Sequence, residues 1–207
     1  TKAVAIDGIR SLMLLGGEGA KDQSVPALRV RSNASGVAFV EFAVDQAHAA
    51  GLANLFRELG FRLTGRHRSK GVERWSQGSI NLLINASDNS FAQSHYRVHG
   101  SGVCAIGLEV DDVTMTMGRA DALKAITFRQ PVGPNEMTIP AIRGVGGSLL
   151  YFLEPGSSNW DIDFVPVTSE ADAGLLNQVD HISQVMRFEE MLSWEQFYGA
   201  MFDVQRS

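Results

Sequence analysis

Val37-Ala38-Phe39-Val40-Glu41-Phe42-Ala43-Val44, closed by Asp45, is the stretch on which the fold turns. Its β-branched and aromatic residues suit a half-buried strand of ordinary length. After Asp45 the period changes. Ala49, Leu52, Ala53, Phe56 and Leu59 recur at helical spacing, and Gly60 stops the helix. Strand-like runs follow at Phe61 to Arg66, Val72 to Ser76 and Ile80 to Ile84, with Gly71 and Gly78 at the turns. The order is βαβββ.

The order then returns. Val103 to Val110 reads as a strand, and Asp111 to Ala125 as a helix with Val113, Met117, Ala120 and Leu123 as its apolar positions. Either Asp111 or Asp112 suits its N-cap. Ile126 to Gln130, Ile139 to Val145 and Ser148 to Leu153 complete a second unit, with Gly146-Gly147 as a hairpin turn. A third copy begins. Val179 to Met186 is expected as a strand, Ser193 as an N-cap, and Glu195 to Phe202 as a helix showing Trp194, Phe197, Tyr198 and Met201 on one face. Self-similarity at a fixed unit predicts an α+β fold. In it, paired βαβββ modules make a curved, mostly antiparallel sheet with helices outside.

Four segments are expected. Residues 1–34, with apolar Ile6 to Leu15 and then Gly16-Gly17-Glu18-Gly19, read as a linker or a junction to an upstream domain. Residues 35–155 hold the two modules. Residues 156–177, with Gly156-Ser157-Ser158 and Pro166, read as an interdomain connection, and 178–207 as the first βα of a truncated second domain. Both ends read as cuts through a longer protein.

The composition excludes several function classes. The 207 residues are 44% hydrophobic and 20% charged, with a net charge of −5. Lys and Arg form no basic run, so neither nucleic acid nor an anionic membrane is expected as partner. No apolar stretch reaches the roughly 18–20 residues needed to span a bilayer. The lone Cys104, in an apolar run, reads as a buried core residue, and a reduced, cytoplasmic protein is expected.

Within this pattern several stretches resemble 4-hydroxyphenylpyruvate dioxygenases of the vicinal oxygen chelate (glyoxalase-dioxygenase) superfamily. Phe39-Val40-Glu41-Phe42-Ala43-Val44 resembles that family's first-module strand. His99-Gly100-Ser101-Gly102-Val103, followed by Leu108-Glu109-Val110-Asp111-Asp112-Val113, is similar to its turn into the second module. Tyr151-Phe152-Leu153-Glu154-Pro155 is similar to that module's end. Val179-Asp180-His181-Ile182, with Met191, Trp194 and Phe197-Tyr198, resembles the opening of its catalytic domain. Phe39 departs from the pattern, since the family commonly has a histidine there. Asp7-Gly8-Ile9-Arg10-Ser11-Leu12 also resembles the junction in fused proteins that carry a 3-dehydroshikimate dehydratase barrel before a dioxygenase-like half.

The resemblance implies a non-haem Fe(II) held by two histidines and a glutamate. Such a set leaves open positions for an α-keto acid and dioxygen. His181 matches the first of these ligands; the resemblance places the others beyond residue 207. A strand histidine is ordinarily satisfied by a local hydrogen bond, but the Asp-His-Ile text and the helix after it favour a ligand. No catalytic or cofactor-binding residue is expected within this chain. Its main reading is the N-terminal part of an Fe(II), α-keto-acid-dependent aromatic oxygenase, inactive by itself. The alternative is an accessory or oligomerisation domain fused to a 3-dehydroshikimate dehydratase. An aromatic α-keto acid is the implied partner of the full-length protein. An unfinished third module, which packs here or exchanges with a neighbour, predicts a homo-oligomer.

The remaining candidates favour bland readings. His95 and His99 stand in text read as strand or loop, where a metal role is disfavoured. Glu41, Glu109 and Glu154 lack adjacent histidines and read as outward-facing or ion-paired. His67, in Arg66-His67-Arg68-Ser69-Lys70, reads as a solvated hairpin tip. Gly144-Val145-Gly146-Gly147 lacks the Gly-Lys-Ser/Thr ending of a phosphate loop. Trp194, Phe197 and Tyr198 read as helix core.

Overall fold

Asp45 ends its strand as the sequence predicts, by capping the helix that follows: its side chain accepts the His48 N–H at 2.7 Å. The computed structural model describes residues 2–6, 9–14, 30–156, 159–167 and 174–204. Asp7, Gly8, the Gly16–Gly19 run, Ser157 and Ser158 lie outside these.

The chain begins with two strands, β1 (Lys2–Ile6) and β2 (Ile9–Leu14), paired antiparallel to each other. The first module is β3 (Ala34–Ala43), α1 (Gln46–Glu58), β4 (Arg62–His67), β5 (Val72–Gln77) and β6 (Ile80–Asn85). A helix α2 (Phe91–His99) joins it to the second. That module is β7 (Gly102–Val110), α3 (Val113–Ala122), β8 (Thr127–Phe128), β9 (Ala141–Arg143) and β10 (Leu149–Leu153). A short α4 (Asn159–Asp163), β11 (Phe164–Pro166) and α5 (Phe188–Met201) follow.

The strands from β3 onward form a nine-stranded sheet in the order β11-β4-β5-β6-β3-β7-β10-β9-β8. Each module closes the same way: its first strand pairs parallel with its last, β3 with β6 and β7 with β10. The modules join where β3 and β7 pair antiparallel. Eight of the nine strands are thus two copies of one unit, in a sheet that is mostly antiparallel, as the repeat predicts, with β11 added at one edge.

Strand alternation sends side chains to two faces. Phe42 and Val44, with Ile80 and Ile84, pack under α1 against Phe56, Phe61 and Trp75. Ile106, Val110, Leu150 and Phe152 pack under α3 with Ala120, and with Met201 and Phe202 at the end of α5. Arg119 of α3 is 1% exposed, and its Nε donates to the Ala200 carbonyl at 2.5 Å, tying α5 to the second module. The opposite face carries Phe39, Leu83, Leu153 and Phe164. Cys104 is fully buried, as expected, beside Ala43, Ala92, Ala105 and Leu149.

Several elements differ from expectation. The run 179–186 has no regular structure, because no described strand pairs with it and a lone strand leaves its backbone groups unpartnered. Helix α5 begins at Phe188 and not after Ser193; Glu189 and Glu190 in its first turn suit the helix dipole. The expected strands at 126–130 and 139–145 shrink to two and three residues. Pro131 and Pro140 lie at their ends, and proline cannot donate to a ladder. Residues 91–99 form a helix where strand or loop was expected, capped by Ser90, whose side chain accepts the Gln93 N–H. Part of the expected connection carries structure, since β11 adds to the free edge of β4.

Candidate functional site

The edge strands of the sheet line one cavity. Nine strands laid flat would hold their edges about 38 Å apart, at the usual strand spacing. Yet Phe164 of β11 and Thr127 and Phe128 of β8 line the same space, of about 510 Å³. The sheet therefore curls into a trough. Ligand cavities of soluble proteins fall in this range of size.

The seam between the two edges is crossed by the loop from Pro131 to Pro140. Glu136 on this loop accepts Lys70 Nζ at 2.7 Å, the Ser69 hydroxyl, and the Gly133 N–H at 2.7 Å. Its side chain is 6% exposed. Burial alone raises its pKa, but the Lys70, Ser69 and Gly133 donors outweigh burial and hold it at about 2. The next residue, Met137, donates its N–H to Asp163 Oδ1 at 3.0 Å. Arg68 in turn donates to the Ile162 and Asp161 carbonyls at 2.7 and 3.0 Å. The loop of the second module is thus latched to the β4–β5 turn of the first and to α4.

The walls are apolar and aromatic. Phe39 is 4% exposed, with its ring 5.7 Å from Tyr151 and 6.0 Å from Trp160, centroid to centroid. It fits because its partner across β7 is Gly107, where any Cβ would fall 2.4 Å from the ring. The departure at Phe39 is thus matched by a glycine on the neighbouring strand. Trp160 packs edge-on to Phe164 at 5.5 Å, and Arg74 covers its other side at 4.3 Å.

Glu41 follows Phe39 at the strand period and lines the same cavity. This corrects the expectation of an outward or ion-paired carboxylate. Asn85 Nδ2 donates to its Oε1 at 2.5 Å, and the Ser87 N–H holds Asn85 Oδ1 at 3.0 Å, which fixes the amide orientation. Burial raises the pKa of Glu41, with Asn85 and Lys70 opposing. Burial and the Glu41 charge also push the Tyr151 phenol up. His67 is likewise no solvated tip: it is half-buried, lines the cavity and packs edge-on to Phe164 at 5.3 Å. Burial, then Lys70, lowers its pKa. Glu109 and Glu154 do not reach the cavity.

No group of three His, Cys, Asp or Glu stands close enough to hold a metal among the described residues. His181 lies in irregular chain with its side chain 79% exposed, and its Nδ1 is 2.8 Å from Asp180 Oδ2. An Fe(II) site does not fit the residues described in this chain. His95 and His99 do share a helix face, with rings 4.5 Å apart, but no third ligand joins them among the described residues. Phe197 and Tyr198 pack on the second-module core, as expected.

Sequence reasoning missed the cavity itself. One signal was available: Glu41 and Asn85 are polar residues at inward positions of otherwise apolar strands. The Glu136 latch and Trp160 had none, because contacts between loops follow no period.

Comparisons with known proteins agree with this architecture. Residues 32–165 match the family described as hydroxyphenylpyruvate dioxygenase, HPPD, N-terminal. A 3-dehydroshikimate dehydratase of Pseudomonas aeruginosa is 40% identical over 218 residues, covering 98% of this chain and 34% of its own length. A 4-hydroxyphenylpyruvate dioxygenase of Pseudomonas sp. (strain P.J. 874) is 34% identical over 174 residues, covering 81% of this chain and 48% of its own. The chain therefore spans about a third of the first relative and half of the second. A solved xylose isomerase-like TIM barrel/4-hydroxyphenylpyruvate dioxygenase fusion protein superposes with TM-score 0.79 at 40% identity, over 86% of this chain and 28% of that one. No described helix is long and apolar enough to cross a membrane. On the match of residues 32–165 and the two-module sheet that they form, the chain belongs to the hydroxyphenylpyruvate dioxygenase N-terminal family.

Proposed function

We propose that the chain is the dioxygenase-type N-terminal domain of a longer fused protein of the 3-dehydroshikimate dehydratase kind, in which it is an accessory and assembly domain without metal chemistry of its own. The observation that carries this is the 40% identity to a dehydratase along 98% of the chain. The dehydratase chemistry then belongs to an upstream part of the protein. Exposed apolar side chains at Leu175, Val185, Phe188 and Leu192 support a surface that is covered in the whole protein, which we take to be a homo-oligomer of the cytoplasm. The test is where the activity resides: the full-length protein dehydrates 3-dehydroshikimate, and the chain alone does not.

The second reading is favoured by His181 and its Asp180 partner. A carboxylate on one ring nitrogen orients the other toward a metal. His181 is then one of three ligands for Fe(II) in an aromatic α-keto-acid oxygenase, with the remaining His and Glu outside this chain. Anaerobic Fe(II) loading of the full-length protein tests it. Iron at one per chain, lost in His181→Ala, supports this reading, and a protein that stays iron-free removes it.

A further inference from the structure

Two polar side chains, Glu41 and Tyr151, line the trough. Glu41 receives one hydrogen bond, on Oε1, from Asn85. Among the described residues nothing donates to Oε2, and nothing pairs with the Tyr151 hydroxyl, although both side chains line the cavity. Both side chains are only partly buried, so Oε2 and the Tyr151 hydroxyl stay open to the cavity, where they can meet a ligand or water.

The surroundings narrow the ligand. The rings of Phe39, Tyr151, Trp160 and Phe164 give edges and faces on which another ring packs well. An anion would meet the carboxylates of Glu41 and Asp163. A cation would meet Lys70 and Arg129 in the same lining. Lys70 is already taken by Glu136. An uncharged ring with a donor escapes both penalties.

We propose that the trough is a binding site for an uncharged, ring-bearing phenol or alcohol, whose hydroxyl donates to Glu41 Oε2 beside the Tyr151 hydroxyl and whose ring lies among Phe39, Tyr151, Trp160 and Phe164. The Pro131–Pro140 loop, latched through Glu136, covers the bound ring. Every lining residue belongs to this chain, so ligand binding is read separately from dehydratase activity and iron content.

Calorimetric titration of the full chain with phenol tests this, with benzoate and benzylamine as charged rings of similar size. Phenol is expected to bind, and each charged ring to bind at least about tenfold more weakly. Glu41→Gln is the decisive variant. Ser87 fixes Asn85 so that its amide N–H faces residue 41. A glutamine there must therefore turn its oxygen to Asn85 and its NH2 to the cavity, replacing the acceptor by a donor at nearly constant volume. Phenol affinity is expected to fall at least about tenfold. Tyr151→Phe, which removes one hydroxyl only, is expected to weaken phenol about three- to tenfold and covers the case of a poorly folded Glu41→Gln. No phenol binding up to about 10 mM, tighter binding of a charged ring, or unchanged affinity in a folded Glu41→Gln or Tyr151→Phe overturns the proposal.

Discussion

Replacing Gly107 by alanine puts a methyl group into the ring of Phe39. The Cβ would sit 2.4 and 2.5 Å from two ring carbons. Carbons pack at about 3.5–4.0 Å, so the ring must retreat by about 1 Å. It has little freedom to do so, being 4% exposed with Tyr151 at 5.7 Å and Trp160 at 6.0 Å. Overpacking of this kind costs about 1–3 kcal/mol. At this chain length that corresponds to a melting temperature lower by roughly 2–4 °C per kcal/mol. Phe39→Ala alone should cost about 3–5 kcal/mol, through the cavity that it leaves. In that background the methyl of Gly107→Ala has space, and alanine relieves the weakness of glycine inside a strand, so the second change should be neutral or slightly stabilising. Urea unfolding of the wild type, both single variants and the double variant gives the coupling directly. A Gly107→Ala protein within about 0.5 kcal/mol of wild type, or an equal loss in both backgrounds, would refute the fit of these two residues.

Two further outcomes follow from the latch and from the helix anchor. Glu136 has its folded pKa depressed to about 2, by donors that outweigh burial. Its contribution is therefore complete above the ordinary carboxylate pKa of about 4.3 and fades as pH falls from about 5 towards 2. Glu136→Gln should flatten that part of the stability-versus-pH curve, and an identical curve in wild type and variant contradicts the latch. Arg119→Met strips the Ala200 carbonyl of its buried donor. It should cost about 1–3 kcal/mol and speed amide exchange across Phe188–Met201 more than in the central strands, whereas unchanged exchange in α5 contradicts the anchor.

The parts legible in the sequence were those set by period. Val37 to Val44, Ala49 to Leu59 and their second copies switch from strand to helical spacing, and each unit closes as the repeat predicts. Asp45 and Asp112 announced their helices by side-chain chemistry and cap them. The strand expected at 179–186 pairs with no described strand, and a local run of sequence carries no information about its partner. Helix α2 was readable after all, since Ser90 and Gln93 have capping-box spacing and Gln93 Oε1 accepts the Asn89 N–H at 3.0 Å. The cavity was legible only as a pair of misplaced polar residues, Glu41 and Asn85. Its closure by Glu136, Lys70 and Asp163 joins residues far apart in the chain, which no local pattern records. His181 could be singled out only by resemblance, which places its two fellow ligands beyond residue 207, and among the described residues no group of three metal-ligating side chains forms.

One measurement bears most directly on the proposal that the chain is an accessory domain beside a dehydratase. It is steady-state dehydration of 3-dehydroshikimate by the full-length protein and, side by side, by this chain alone. Turnover is expected from the full-length protein and none from the chain. Turnover by the chain itself, or a full-length protein that leaves 3-dehydroshikimate untouched, contradicts it.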